Sequence, residues 1–296
     1  MSKTQFFPKD RTWKAAWVPI LVTVLVAACS GARTTATKSA EKATAPPSSP
    51  LVQAGVDAIL YQSSSAEVFR LYQQCFELAR LRLDASLARL APGGDPPAVI
   101  VDVDETVLDN TPYEITNVAN GRGYAPDTWK EWTDQGEARA LPGAVDFLRY
   151  AVSRGCEVYY ITNRTTAEKE ATISNLLQQV FPMVDPEHVL TKEEGSDKTT
   201  RRARVAEHHR IVLLCGDQLR DFDESFKDRS VEFGRSQVQA MQDTLSSYFV
   251  LLPNAIYGTW RDAILGNGTD AEKEQRVRNF FDQNAYWHAG SGPEGR

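Results

Sequence analysis

The chain has little of what would tie it to several large classes of protein. Its 296 residues hold only four cysteines and four histidines, and no two cysteines stand at CxxC spacing. A zinc or dithiol redox centre is therefore not legible. No pair of His, Cys or Met residues stands out as haem ligands. There is no internal repeat. Nor is there an excess of positive charge: the formal net charge is −6. An acidic body repels phosphate polymers, which argues against a nucleic-acid-binding protein. The composition is 42% apolar and 24% charged, ordinary for a globular protein with a full core in one or two domains.

The longest apolar stretch, Ala15 to Ala28, contains Pro19 and is shorter than a membrane span needs. Lys3, Lys9, Arg11 and Lys14 precede it, and Val26-Ala27-Ala28-Cys29 follows in the form of a bacterial lipobox. Residues 1–28 are therefore expected to be a lipoprotein signal peptide and Cys29 the lipidated residue. Several acyl chains on Cys29 would anchor the protein to a membrane without a spanning helix. Ser30, in place of an aspartate, resembles the outer-membrane class of lipoproteins. Loss of the net +3 of residues 1–28 would leave a charge of −9. Residues 29–50, rich in Ala, Thr, Ser, Lys and Pro, read as a flexible linker. Cys75, Cys156 and Cys215 read as buried free thiols.

From residue 51 the pattern becomes that of a folded domain. Phe69, Tyr72, Phe76, Ala79, Leu83, Leu87 and Leu90 recur at helical steps, and Pro92-Gly93-Gly94 ends the helix. Strands are expected at 98–103, 157–162, 188–191, 211–215 and 248–252. Helices are expected at 144–154, 166–180, 200–207 and 236–246, with Thr165 and Glu168 forming a capping box. This alternation predicts an α/β fold with a central parallel sheet covered on both faces, whose ligands sit beyond the carboxyl ends of the strands. Residues 110–139 interrupt it with a polar, aromatic-containing segment, read as a small cap or lid. The domain is expected to run over 51–270, followed by a tail over 271–296 that is Gly-rich from Gly290.

The segment VIVDVDETVLDN at 99–110 carries most of the functional information. A buried strand ending in Asp102-x-Asp104 delivers two carboxylates to one side of the sheet edge, and two such groups need a cation or a shared proton. Three further elements follow in order: VYYITNR at 158–164 with Thr162 and Asn163, Lys198 opening a helix, and LLCGDQLRDF at 213–222 with Asp217 and Asp221. Lys192 lies near, but the basic helix start after Lys198 favours the latter.

This ordered set resembles the haloacid dehalogenase (HAD) superfamily. With the Trp129–Trp132 region, ARALPGAVDFL at 138–148 and LPNAIYGTW at 252–260, it resembles more closely the class C acid phosphatases (subfamily IIIB), which include outer-membrane lipoprotein 5′-nucleotidases. The resemblance spans about residues 55 to 265. It implies a Rossmann-like three-layer sandwich and a Mg²⁺ held by Asp102, Asp217 and the backbone carbonyl of Asp104. It also implies Asp102 as nucleophile forming an aspartyl-phosphate, Asp104 as general acid and base, and Thr162 and Lys198 as ligands of the phosphoryl oxygens. Asp221 would orient metal waters or Lys198. Tyr113, Trp129 and Tyr257 match aromatic positions that stack on a nucleobase or nicotinamide ring in the family, although packing of the cap's own core is the other reading of these rings. Gln218 departs from the asparagine that often follows the Asp217 position. The implied activity is hydrolysis of phosphomonoesters, with nucleotides as small partners and a homodimer as the assembly. The competing function is a surface lipoprotein that captures nucleotides or haem with a vestigial site; loss of Asp102 or Asp104 would mark it, and both are present.

Overall fold

The computed structural model describes residue 51 and residues 55–285. The expected signal peptide (1–28), the lipidation site Cys29, the linker (29–50) and the Gly-rich end from Gly290 lie outside the described residues.

The described chain begins with α1 (Val56–Ser64) and α2 (Ala66–Leu87). Ser65 caps α2, its hydroxyl accepting from the amides of Glu67 and Val68 at 3.1 and 3.2 Å. β1 (Pro97–Val101) follows, then a short ribbon of β2 (Leu108–Asp109) and β3 (Arg139–Ala140) that brackets α3 (Thr111–Ala119) and α4 (Pro126–Gln135). Next come α5 (Ala144–Ser153), β4 (Glu157–Thr165), α6 (Lys169–Gln178), β5 (Val189–Lys192), α7 (Thr199–Ala206) and β6 (Arg210–Gly216). The chain then forms α8 (Arg235–Ala240), α9 (Gln242–Tyr248), β7 (Phe249–Leu251), α10 (Thr259–Leu265) and α11 (Asp270–Asn284). No described helix is long and apolar enough to cross a membrane.

The main sheet has the order β5-β4-β1-β6-β7 and is parallel throughout. β1 lies in the middle, so its side chains are covered on both faces. Val99 and Val101 join Tyr72, Phe76 and Leu83 of α2 and Phe147 of α5. Ala98 and Ile100 join Val205 of α7, Leu214 and Phe222 on the other face. The period-2 alternation of one strand thus feeds two cores, which produces the three-layer sandwich.

Several details differ from the expected pattern. The buried stripe of α2 is Val68, Tyr72, Phe76, Ala79 and Leu83, and Phe69 is 55% exposed. A stripe stepping 4-4-3-4 leaves no room for position 69, because Val68 already holds that turn against the core. The polar segment 110–139 is largely helical. Its two helices both carry Pro in the first turn, where a missing N–H costs nothing. The single helix expected over 236–246 is two short ones separated at Met241. The tail expected from 271 starts with α11, whose N-terminus has a full capping box between Thr269 and Glu272. The capping box of Thr165 and Glu168 is formed as expected.

Phe147 is wholly buried and stacks on Phe76 with ring centroids 5.7 Å apart. Phe147→Ala should lower the unfolding free energy by about 3–5 kcal/mol, read as a shifted urea midpoint at unchanged slope. A shift under about 1 kcal/mol would mean that this contact closes over the deletion.

Candidate active site

The backbone of Asp102 continues the β1–β6 ladder one residue beyond the strand, its amide donating to the Cys215 carbonyl at 2.9 Å. The chain then turns sharply. Val103 O accepts from the amides of Val107 and Leu108 at 3.0 and 2.9 Å, and Glu105 sits at φ 54°. This tight loop keeps Asp104 beside Asp102 at the sheet edge. On the neighbouring strand β6, Gly216 precedes Asp217. A Cβ at Gly216 would lie 2.5 Å from Asp221 Oδ2, so the glycine is what lets the Asp221 side chain fold back under the strand end. Asp221 Oδ2 accepts from the Gln218 amide at 2.9 Å, which fixes that fold.

Ligand oxygens of Asp102, Asp217 and Asp221 all lie within 4.8 Å of one another. Lys198 bridges two of them, ion-pairing with Asp102 Oδ1 and with Asp221 Oδ1 at 2.7 Å for the latter. Asp102 Oδ2 makes no hydrogen bond among the described residues. Asp217 Oδ2 accepts from Gln218 Nε2 at 2.8 Å and Asn254 Nδ2 at 2.7 Å. Burial drives the Asp102 carboxyl well above its ordinary range although Lys198 pulls it down. Burial, then Asp221, carries Asp217 up to about 7 against the two amide hydrogen bonds. Burial would lower Lys198, but Asp102 and Asp221 outweigh it and keep the ammonium charged. Three crowded carboxylates with one compensating cation, all oxygen donors, suit a hard divalent ion. The residues present fit such an ion.

Asp104 is held differently. Its Oδ1 accepts from Arg164 Nη2 at 2.8 Å, Arg164 Nε at 3.0 Å and Asn110 Nδ2 at 2.9 Å. Its Oδ2 has only longer contacts, with Thr162 Oγ1 and Arg164 Nε, both at 3.3 Å. Arg164 is 2% exposed, and a buried guanidinium of this kind needs its carboxylate partner. Neither Arg164 nor Asn254 was assigned a role from the sequence, and Asn110 was read only as shaping the turn into the cap. Arg164 was legible in principle: it stands two residues after Thr162 on β4 and so shares its side. Asn110 and Asn254 carried no such signal.

The carboxylates open into a cavity of about 960 Å³ whose lining includes Asp102, Asp104, Asp217, Asp221, Lys198 and Asn163, with Trp129 and Tyr257 on its walls. Thr162 is fully buried beneath this lining, and its hydroxyl also accepts from the Arg164 amide at 3.1 Å. Asn163 Oδ1 accepts from Arg201 at 2.8 Å. Tyr113 does not reach the cavity surface: it is 4% exposed and packs edge-on against Trp129 at 5.2 Å. Tyr124, which the sequence gave no role, does line the cavity and lies 6.2 Å from Trp129.

Comparison with known proteins agrees with this geometry. Residues 21–260 match the family model described as HAD superfamily, subfamily IIIB (acid phosphatase). The structure of the class C acid phosphatase from Bacillus anthracis superposes with a TM-score of 0.72 at 37% identity, over 77% of this chain and 97% of that one. Among curated proteins, acid phosphatase 1 of Solanum lycopersicum is 29% identical over 130 residues, 41% of this chain and 50% of that one. The class B acid phosphatase of Aggregatibacter actinomycetemcomitans is 27% identical over 138 residues, 42% of this chain and 57% of that one. The chain spans about half the length of the curated relatives it matches.

The position of Asp217 predicts how cation binding depends on pH. A carboxyl lifted to about 7 holds a proton in mildly acid solution, and a cation must displace it. Affinity for a divalent ion should therefore fall as pH drops below about 7, by up to about tenfold per unit while one proton is displaced. Calorimetric titrations at pH 8 and pH 5.5, in buffers of different ionisation enthalpy, should show proton release only at the lower pH. Equal affinity and no proton release at both would contradict it.

Proposed function

The chain belongs to the subfamily IIIB acid phosphatases of the HAD superfamily, and we propose that it is a Mg²⁺-dependent phosphomonoesterase acting on 5′-nucleotides or nicotinamide mononucleotide. The observation that carries this reading is the meeting of Asp102, Lys198 and Asp217 in the lining of a cavity of about 960 Å³. That volume is far more than a phosphate group needs and is near the upper end for small-molecule sites.

Each group has a task. Asp102 attacks phosphorus through Oδ2, the oxygen Lys198 does not engage, and forms an aspartyl-phosphate as the ester oxygen leaves. Asp104 gives its proton to that leaving oxygen and then takes one from the water that hydrolyses the intermediate. Its Oδ2, the less engaged oxygen, is the one that carries the proton. Lys198 balances charge building on the phosphoryl oxygens, and Asp221 keeps the ammonium in place. Thr162 supports Asp104 and the β4 edge from below, with its backbone carbonyl tied to Arg201. Asp102, Asp217 and the Asp104 carbonyl would hold Mg²⁺, which supplies neutralisation of the anionic ester. That the class C acid phosphatase of Bacillus anthracis has been seen with tungstate bound supports binding of an oxyanion, since tungstate is a tetrahedral anion like phosphate.

Trp129 and Tyr257 form the faces against which a base stacks, with Tyr113 fixing the Trp129 ring from behind. The lipobox supports an envelope protein held by lipid on Cys29 in the outer membrane. A homodimer belongs to the same reading.

Phosphate release by the full chain from a panel of nucleotides and simple esters, with and without Mg²⁺, tests the function. Asp102→Asn should reduce turnover by at least about 10³-fold while the thermal transition stays cooperative. Full activity in that variant would remove the nucleophile. Trp129→Ala should raise KM for nucleotides by about tenfold and for p-nitrophenyl phosphate far less, as loss of one stacking face implies. Equal effects on both would reduce Trp129 to packing.

A further inference from the structure

The cavity lining carries four cations besides Lys198 and Arg164. Arg122 follows α3, Lys192 ends β5, Arg261 lies on α10 and Lys273 on α11. Arg122 is tied to Asn117 at 3.1 Å. The other three make no side-chain hydrogen bond or ion pair among the described residues. Four separate elements thus bring positive charge to one cavity whose protein partners leave it largely unused.

Besides the aspartates of the site, three acids line the same cavity: Glu114, Asp262 and Asp270. Glu114 is the one that faces Arg261. Burial raises its carboxyl to about 7, with Arg261 acting in the opposite direction. In mildly acid solution Glu114 is therefore neutral and no longer offsets Arg261. Asp262 is exposed beside Arg261 on α10, and Asp270 with Lys273 belongs to α11. α1, which packs against α3, gives the cavity Ile59 and no charge.

The start of α10, the helix that carries Arg261, is tied to the reacting end. Gln218 Nε2 donates both to Asp217 Oδ2 at 2.8 Å and to the Tyr257 carbonyl at 3.3 Å, while Gln218 Oε1 accepts from the Thr259 amide at 3.1 Å. Gly258, at φ +142°, is where this clamp passes; any Cβ there would overlap the Gln218 amide. One side chain therefore joins a catalytic carboxylate to the first turn of α10.

We propose that Arg261, with Lys273 on the helix α11 packed against α10, binds a second phosphate of the substrate, so that the preferred esters carry a further phosphate on the leaving group, as nucleoside 3′,5′-bisphosphates do. The inference rests on the phosphatase reading for the inner end of the cavity.

The test compares adenosine 3′,5′-bisphosphate with adenosine 5′-monophosphate on the full chain. Two hydrolysable esters raise kcat/KM by no more than about twofold on statistical grounds. A charge-assisted contact in a partly desolvated site raises it by about tenfold or more, mainly through KM, and the ratio declines with added salt. Arg261→Gln, and separately Lys273→Gln on the other helix, should return the ratio toward two. The same comparison is made by equilibrium binding to Asp102→Asn, where the bisphosphate should bind about tenfold more tightly. A wild-type ratio of two or less, or a ratio unmoved in both variants, overturns the subsite. No phosphate release from any ester would remove the phosphatase reading alone, because the binding ratio still reads Arg261 and Lys273.

Discussion

The ammonium of Lys198 lies between Asp102 and Asp221, with Asp217 within reach of both, and much of the structure serves to keep that arrangement in place. Three carboxylates in a shielded volume repel one another, and each loses hydration on folding. A lysine alone offsets part of this. The rest is left as raised proton affinity at Asp102 and Asp217. The fold tolerates it because β1 and β6, the two strands that present the aspartates, are apolar and covered on both faces. Their packing pins the backbone, so the carboxylates cannot relax apart. The strain is electrostatic and is stored where a cation would relieve it.

A second network governs Asp104. Arg164 and Asn110 hold its Oδ1, and Asn110 Oδ1 in turn accepts from Trp132 Nε1 at 2.8 Å. Trp132 lies on α4, the same helix as Trp129. Thr133, also on α4, donates to Glu168 Oε1 at 2.9 Å, and Glu168 closes the capping box beyond β4. The cap is thus fastened through hydrogen bonds to the acid and to the strand that supports it. Buried bonds to charged groups of this kind contribute about 1.5–3 kcal/mol each. A shift of α4 would move the aromatic side of the cavity and the Asp104 side chain together, which couples the shape of the cavity to the orientation of Asp104.

The parts legible in the sequence were those written in short-range pattern. The β1 run before Asp102 could only be a doubly covered strand, and Gly216-Asp217 after an apolar run could be placed at a strand end without further knowledge. The capping box at Thr165 was equally local. Phe69 misled because hydrophobicity alone cannot say which of two adjacent residues, Val68 or Phe69, meets the core; that depends on how α2 is rotated against the sheet. Arg164, Asn110 and Asn254 escaped for a related reason. Their partners lie 60, 6 and 37 positions away in sequence, and hydrogen bonds to a buried carboxylate leave no periodic trace. Tyr113 and Tyr124 show the same limit: both are aromatic residues of one insertion, yet only the second reaches the cavity.

Net charge and local charge point in opposite directions here. The chain carries a formal −6, which discourages approach of long polyanions to its surface. Inside the cavity, Lys198 and Arg164 stand near the carboxylates, and Arg122, Lys192, Arg261 and Lys273 line it as well. A low-dielectric recess concentrates the field of such groups over its own dimensions, whereas the surface field is screened within about 10 Å at ordinary salt. A small phosphate ester that enters feels the local cations; a polymer held outside feels the acidic body. Selection for small anionic esters therefore follows from where the charges lie as much as from how many there are. The acids in the lining matter in the same way: a Glu114 that loses its charge in acid solution strengthens the recess without altering the exterior.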